Sequence, residues 1–431
     1  MRTEQASPLC GRRVLVAVSG SIAAVKTPLL VSALVKAGAE VRCLVTTSGA
    51  ALVSSVALAS LSRHRCYLEA DQWNPAASRP LHIELAEWAE LTIVAPLSAS
   101  SLARWSQGSA DGLLASVLLA MEGPVIAAPA MNTAMWRHPA VQRNWLQIQD
   151  FPGVVPLLPV SGLLACDRVG DGRMADPTLI QLAAASVFSR GRGAPVANRD
   201  WCGRSVLVSA GPTQESIDAA RFLSNRSSGR MGVLLAQAAR FRGATVHLVH
   251  GPLDLPEAWL EGLQCTAVES AAELSSALQQ ALPTSDVLVM TAAVADLRRQ
   301  AAPENKLAKQ ELQASLSSGW DEVPDLLEHL SRQRRPGQLV LGFSALTGSD
   351  SHLMERAESK RLAKGCDLMM VNPVDRDGQG FGDQPNGGWL LGDGWTQEMP
   401  LTDKLSLSHQ LLDALIKASR SSCAVDGLLT E

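Results

Sequence analysis

Residues 81–100, LHIELAEWAELTIVAPLSAS, limit the fold more tightly than any other stretch of this chain. The spacing of apolar residues over 82–90 predicts an amphipathic helix. Residues 91–95 form a short unbroken apolar run, which predicts a central parallel strand covered on both faces. Pro96 follows, and Ser98, Ser100 and Ser101 come just beyond the strand end. Open α/β sheets bind ligands at such ends, where hydroxyls and backbone N–H groups meet a phosphate. His82 lies on the preceding helix. A lone helical histidine is more often packed or solvated than reactive, so it decides nothing by itself.

A length of 431 residues predicts two or three domains, each able to bury its own core. The content of 46% hydrophobic and 19% charged residues is that of a globular chain. A net charge of −4 argues against nucleic acid as a partner. The eight cysteines are scattered, with no CxxC and no zinc spacing, which suits a reducing cytoplasm. The run VLVAV after Arg12-Arg13 imitates an export signal but breaks at once into Ser19-Gly20-Ser21. No run reaches the roughly 18 apolar residues that span a bilayer. The expectation is a soluble cytoplasmic protein with neither nucleic acid nor membrane among its partners.

The chain begins with a strand over 14–18, a small-residue turn SGSIAA over 19–24, and a helix carrying Leu29, Leu30, Ala33, Leu34 and Ala37. Pro28 predicts a kink or a fresh helix start with Thr27 as its cap. Gly38 closes that helix, and 41–46 is the next strand. Without the full GxGxxG the dinucleotide signal is weak. A mononucleotide phosphate site still fits, made of N–H groups with Ser19, Ser21 and Thr46. A buried helix over 110–120 and a strand over 124–128 lead to PAMNTAMW, placing Asn132 past a strand end. Its amide can clamp a carboxylate or cap a helix, and without context the cap is the commoner role. The segment SGLLACDRVGDGRMADP, 161–177, reads as a glycine-rich loop able to close over a site, with Cys166 accessible in it.

SGSIAA, LHIEL, APLSAS, PAMN and ACDRVGDGRM, in this order and spacing, resemble the flavin-containing cysteine decarboxylases. The nearest members decarboxylate phosphopantothenoylcysteine on the route to coenzyme A. The resemblance covers nearly all of residues 12–185 and implies a flavodoxin-like flavoprotein fold. It implies that His82 is catalytic, that Asn132 binds the substrate carboxylate, and that Cys166 is the proton donor of a lid. It also implies FMN held by Gly20, Ser21, Ile22, Thr46, Ser98, Ala99, Ser100 and Ser101. In this reading FMN oxidises the thiol to a thioaldehyde, which gives the carbanion left by CO2 loss an electron sink. Reduced FMN then returns hydride while Cys166 protonates, with no net redox change. Family members often have Gly after the lid cysteine, where this chain has Asp167.

Residues 186–203 are rich in Gly, Arg and Pro and read as a linker. The implied organisation is a first domain over 1–190, a linker over 191–202 and a second domain over 203–431. In the second, strands over 206–210, 245–250, 286–291, 338–343 and 367–371 alternate with helices over 229–241, 270–281 and 351–364. That alternation predicts another doubly wound parallel sheet, so the chain is α/β with two Rossmann-like domains in tandem. SNRSSGRMG at 224–232 puts Ser227, Ser228, Gly229 and two arginines at a helix start, which suits a polyphosphate. Asp296 ends a strand, Lys306, Lys360 and Lys364 can face a triphosphate, and Phe343 can pack on a base. Singly, each is more often a cap, a solvated lysine or core. No GxxxxGK[ST] is present, so this is not a P-loop.

As a set, AGPT, RFLSNRSSGRMG, AAVAD, PEN-K-LAK, LGF and KGCDLMMVN resemble the phosphopantothenate–cysteine ligases, over about residues 203–417. In bacteria that activity is fused behind the decarboxylase, the order found here. The resemblance implies CTP held around Met290, Thr291, Ala292, Asp296, Lys306, the turn Pro324, Asp325, Leu326 and Leu327, then Phe343, Lys360 and Lys364. Asn225 and Arg221 would face an acyl-cytidylate, and Asn225 and Lys306 would be catalytic. Magnesium would be held largely by the CTP phosphates. The implied assembly is a homo-oligomer with a trimeric decarboxylase core and paired ligase domains, as in a dodecamer. Asn305, Ala308 and Leu346 depart from the ligase pattern, and Lys306 is chosen over Lys309 by its distance from Asp296. Two other readings compete: a flavin-binding regulatory subunit without chemistry, and a nicotinamide-dependent reductase in the second half. His82, Asn132 and Cys166 together argue against the first. The missing GxGxxG and the SNRSSG stretch argue against the second.

Overall fold

The computed structural model describes residues 7–75, 78–163, 169–190 and 199–426. They gather into two compact units, one of residues 1–199 with 257–262 and one of residues 200–256 with 263–431.

The first unit is a six-stranded sheet of β1 (Arg13–Val18), β2 (Glu40–Val45), β3 (Cys66–Leu68), β4 (Leu91–Leu97), β5 (Val125–Pro129) and β6 (Val154–Pro156). Its order is β3-β2-β1-β4-β5-β6 and every pairing is parallel. All seven residues of β4 are buried, as a run covered by helices on both faces requires. β4 does not stop before Pro96 as the sequence suggested. It continues to Leu97 because the pairing with β5 shifts register between Val94 and Leu97, leaving Pro96 outside the ladder. The core joins Leu85, Val94, Leu97, Leu102, Trp105, Val117, Trp136 and Trp145.

The turn after β1 forms a short 3-10 helix, Ile22–Lys26, and a fresh α-helix, Thr27–Lys36, follows with Pro28 in its first turn. Thr27 is not its cap. Its hydroxyl donates instead to the Ala95 carbonyl, 2.9 Å away on β4. The glycine-rich segment after 160 is also more ordered than a loop. β7 (Val160–Leu163) and β8 (Val169–Arg173) pair as an antiparallel hairpin. Cys166 lies outside the described residues. The helix Pro177–Ser189 runs into the expected linker, of which 191–198 is likewise outside them. Trp201, at the far end of that stretch, is fully buried and its backbone N–H donates to Arg242 O.

The second unit centres on an eight-stranded sheet. After β9 (Ser205–Ala210) come a hairpin of β10 (Gln214–Asp218) and β11 (Arg221–Ser224), then β12 (Thr245–His250), β13 (Gln264–Ala267) and β14 (Val287–Met290). A second small hairpin pairs β15 (Leu297–Arg299) with β16 (Trp320–Glu322). β17 (Leu339–Leu346), β18 (Leu368–Pro373), β19 (Asn386–Gly392) and β20 (Trp395–Thr402) complete the sheet. Its order is β13-β12-β9-β14-β17-β18-β19-β20. The expected parallel sheet is therefore mixed at one edge, because β19 and β20 return antiparallel. A C-terminal helix, Lys404–Asp426, packs on the helix Arg230–Phe241.

Candidate active sites

In both sheets the strand order reverses between the first strand and its neighbour, β1 with β4 and β9 with β14. Such a reversal leaves a crevice outside the carboxyl ends of the strands. A serine closes each crevice floor. Ser19 Oγ donates to Pro96 O at 2.7 Å and accepts from Ser98 N at 2.7 Å. Ser209 Oγ accepts from Ala292 N at 3.2 Å, and Ser209 O accepts from Thr291 Oγ1 at 2.5 Å. Ser19, expected as a phosphate ligand, is thus fully buried and committed to the backbone.

Around the first crevice the strand ends present the expected residues. Gly20 and Ser21 form the turn after β1, and Ile22 stands 55% exposed beside them. A Cβ on Gly20 would fall 2.4 Å from Ser48 Cβ, so only glycine lets this turn meet the one after β2. Thr46 caps that second turn by accepting from Gly49 N. Ser98 caps the helix Ala99–Ser106 by accepting from Ser101 N; Ser101 is buried while Ser100 is exposed. Thr46 and Ser101 line one recess. His82 is half-buried in the first turn of the helix Leu81–Trp88. That helix leads into β4 through only two residues, Ala89 and Glu90.

Asn132 follows β5 and caps the short helix Thr133–Trp136, its Oδ1 accepting from Ala134 N at 2.8 Å. Trp136 anchors that turn edge-to-face on Trp145, ring centres 5.5 Å apart. The β7–β8 hairpin docks on the same turn through Met131 N–H to Gly172 O at 3.0 Å. Arg137 pairs with Asp171 at 2.7 Å across the same contact. The Arg137 and Ser161 hydrogen bonds hold the Asp171 carboxyl below its ordinary range. β8, which leads out of the 164–168 segment, is therefore fixed against the turn that holds Asn132.

The second unit holds a cavity of about 520 Å³, within the range of nucleotide-sized sites. Asn225, Met290, Thr291, Ala292, Asp296, the turn 324–327, Phe343, Lys360 and Lys364 all line it. Several are already engaged. Asn225 Nδ2 donates to Ala293 O at 3.0 Å and Val294 O at 3.2 Å, and the Thr291 hydroxyl belongs to Ser209. Lys364 Nζ pairs with Asp325 at 2.9 Å. Burial tends to raise the Asp325 carboxyl, but the Glu328 N–H at the helix start and Lys364 outweigh it and lower it. Burial, then Lys364 and Arg356, push the Lys360 ammonium down, against the pull of Asp325 and Asp296.

Two expected residues are not brought to this cavity. Arg221 pairs with Asp218 at 3.2 Å on the β10–β11 hairpin, and Lys306 is exposed. The Leu307 N–H also donates to Asp218, so Arg221 and the 306–307 segment share one anchor outside the lining. Burial opposes ionisation of Asp218, yet the Ala220 and Leu307 N–H groups and Arg221 lower its pKa. Arg230, one of the two arginines of SNRSSGRMG, lines the cavity too, while Asn372, Phe381, Asn386 and Lys404 line it without having been singled out for it. Asn372 is 6% exposed, and its Nδ2 has no hydrogen-bond partner among the described residues. Such a buried donor costs about 1–3 kcal/mol until a ligand acceptor meets it. An asparagine at the end of a buried parallel strand was the signal in the sequence.

A flavoprotein-type α/β unit ahead of a second nucleotide-sized α/β site defines a class of two-domain enzymes. The profile of the family described as Flavoprotein matches residues 2–188. That of the DNA/pantothenate metabolism flavoprotein C-terminal domain matches residues 201–418. The chain is 37% identical over 418 residues to the coenzyme A biosynthesis bifunctional protein CoaBC of Bacillus subtilis, covering 96% of this chain and 99% of that one. It is 35% identical over 410 residues to CoaBC of Escherichia coli K12, covering 95% and 97%. The chain belongs to the CoaBC family of bifunctional coenzyme A biosynthesis enzymes, with a flavoprotein decarboxylase domain followed by a ligase domain.

Proposed function

We propose that the second domain joins cysteine to 4'-phosphopantothenate through an acyl-cytidylate made from CTP, and that the first decarboxylates the product to 4'-phosphopantetheine with FMN. The observation that carries the ligase reading is the composition of the 520 Å³ cavity. Its lining includes Ser227, Ser228 and Gly229 at the start of the helix Arg230–Phe241, where N–H groups favour a polyphosphate. The lining also includes Lys360 and Lys364, and Phe343 on β17 supplies an aromatic face. Activation is needed because a carboxylate is a poor electrophile, and CMP leaves far more readily than oxide. Asp296 and Asp325 are the lining carboxylates, and no group of three His, Cys, Asp or Glu forms a metal site among the described residues. Magnesium accordingly enters with the CTP phosphates.

In the first domain the residues at the strand ends fit a phosphate-bearing flavin. Ser21, Thr46 and the capped 98–101 turn offer hydroxyl and N–H groups at one edge, and Gly20 removes the side chain that would block their approach. Bound there, FMN supplies the reversible two-electron oxidation that gives CO2 loss its electron sink. His82 and Asn132 meet the substrate at the same edge, Asn132 toward the carboxylate, and Cys166 serves as the proton donor. The assembly we infer is a homo-oligomer, with trimeric decarboxylase and paired ligase domains, in the cytoplasm.

The purified chain is expected to be yellow, with an oxidised flavin spectrum, and to release pyrophosphate from CTP only when phosphopantothenate is present. His82→Asn should keep the flavin and the ligation while CO2 release stops. A colourless protein, or normal CO2 release by that variant, would overturn the decarboxylase assignment.

A further inference from the structure

We propose that Lys404 is a positioning residue of the ligase, clasping the 380–382 loop so that it forms one wall of the nucleotide cavity. The inference rests on the ligase reading above. Lys404 opens the C-terminal helix and is only 7% exposed. Its Nζ donates to Gly380 O at 2.9 Å and to Gly382 O at 2.6 Å. Phe381 stands between those two carbonyls, is 44% exposed, and lines the cavity with its neighbours and with Lys404. A second tie reaches the loop from another element, the ion pair of Arg230 with Asp383. Arg230 begins the helix whose N-terminus is the polyphosphate candidate. The loop is thus held from two elements, and both holders line the site.

A buried ammonium gives up its hydration and recovers it only through fixed oxygens. A methionine would fill the same space without that cost, so the two carbonyl contacts are what a lysine adds here. They are charge-assisted, about twice as strong as neutral hydrogen bonds. The charges acting on the ammonium are Arg230, from its helix, and Asp383, from the loop itself. Just before its helix the neighbouring Asp403 is occupied by Leu405 N, Ser406 N and Ser406 Oγ. Burial first, then Arg230, push the Lys404 pKa down to about 8, with Asp383 opposing. Lys404 is therefore charged below about pH 8 and neutral above it. The neutral amine still donates, but without the charge, so the clasp loosens as pH rises through that value.

The test uses the full-length chain with Lys404→Met, which keeps the length of the side chain, and Lys404→Arg, which keeps charge and donors. In Lys404→Met the KM for CTP should rise roughly tenfold, the equivalent of losing one charge-assisted bond. kcat should fall by less, and Lys404→Arg should recover most of the loss. Backbone amides of 379–384 should exchange faster in ligand-free Lys404→Met than in the wild type at pH 7. The wild-type KM for CTP should climb between pH 7 and 9, while that of Lys404→Arg stays level. An unchanged KM with unchanged exchange in Lys404→Met overturns the proposal, as does a loss confined to kcat. Should Lys404→Met not fold, the pH profiles decide, and a level wild-type profile overturns it. A wild-type chain that does not turn over CTP removes the ligase reading, and amide exchange then still tests the clasp by itself.

Discussion

Gly172 lies against Met131 so closely that a Cβ on it would sit 2.1 Å from the Met131 carbonyl oxygen. Its φ of +137° is one that side-chain-bearing residues rarely adopt. The contact joins the β7–β8 hairpin, whose strands flank Cys166 in sequence, to the turn that holds Asn132.

The first prediction follows from that contact. Gly172→Ala cannot keep both the φ and the distance, so the hairpin must move away from Asn132. Decarboxylation should drop roughly a hundredfold, the scale of an ångström misplacement at a reacting centre. Ligation, measured on the same preparation, should be unaffected. Gly162→Ala is the control: its Cβ would meet only the guanidinium end of Arg173 at 3.2 Å, which can shift. Equal losses in the two variants would show that the hairpin tolerates no change anywhere, and the docking contact would lose its special place.

A second prediction concerns Asn225. Both of its amide donors are spent on Ala293 O and Val294 O, so the residue holds the loop between β14 and Asp296 in place. Asn225→Asp would set a carboxylate against two carbonyl oxygens, and the loop should shift. Ligation should fall at least about tenfold, with acyl-cytidylate formed slowly as well as consumed slowly. Mass spectrometry of a reaction containing cysteine distinguishes the alternatives. A build-up of acyl-cytidylate would assign Asn225 to the attack of the amine and not to the loop.

The elements nearest the sites were the ones most legible in the sequence. The apolar run 91–95 predicts a fully covered strand, and β4 is buried along its whole length. Asn132 reads as a cap or a clamp, and a cap is what its Oδ1 makes. The misses share a physical cause, since they depend on partners distant in sequence. Nothing local to Pro96 announces the register shift that carries β4 past it. β19 has only the three-residue apolar run Trp389–Leu391 after Gly387 and Gly388, and β20 is mostly exposed, so the pattern is weak and antiparallel pairing toward a sheet edge makes them strands. Lys404 opens a helix, a place where a lysine is ordinarily solvated. Only the return of the 380–382 carbonyls over it, more than twenty residues upstream, makes it part of the cavity.

Stability of the second unit provides a third prediction. Arg242 is 2% exposed, bonds Asp200 bidentately at 2.9 and 2.6 Å, and reaches Asp413 at 2.6 Å and His409 O at 3.2 Å. One guanidinium thus ties the start of the unit to its C-terminal helix. Breaking a fully buried pair costs about 3–5 kcal/mol, and the partly exposed carboxylates here reduce that to about 2–3 kcal/mol for Arg242→Met. Arg242→Lys should recover little, because an ammonium cannot match the planar fork. Urea unfolding followed by far-ultraviolet circular dichroism should show the second transition moving to lower urea in both variants. An unmoved midpoint would mean that the cluster is solvated and contributes nothing.

The last prediction separates the lysines. Bringing a carboxylate against the α-phosphate of CTP gathers negative charge, and a cation must offset it as the new bond forms. The distance from Asp296 selects Lys306 in the sequence, yet that side chain is exposed and outside the cavity lining. Lys309 begins the helix Lys309–Ser317 and is outside the lining too. Lys364 is already paired with Asp325. Lys360 and Lys404 both line the site with ammonium groups destabilised by burial and by like-charged neighbours. Lys404 is committed to Gly380 O and Gly382 O, which leaves Lys360 for the nucleotide. A triphosphate relieves that destabilisation, so binding should draw more from Lys360 than from an exposed lysine, whose ion pairs are worth about 0–1 kcal/mol. Lys360→Gln should raise the KM for CTP at least about tenfold and slow pyrophosphate release, while CO2 release from supplied phosphopantothenoylcysteine stays normal. Lys306→Gln and Lys309→Gln should each change the KM for CTP less than about fivefold. If Lys306→Gln instead abolishes pyrophosphate release, the 306–307 segment must leave its anchor on Asp218 to meet the nucleotide. A second variant, Asp218→Asn, should then change the rate of activation as well.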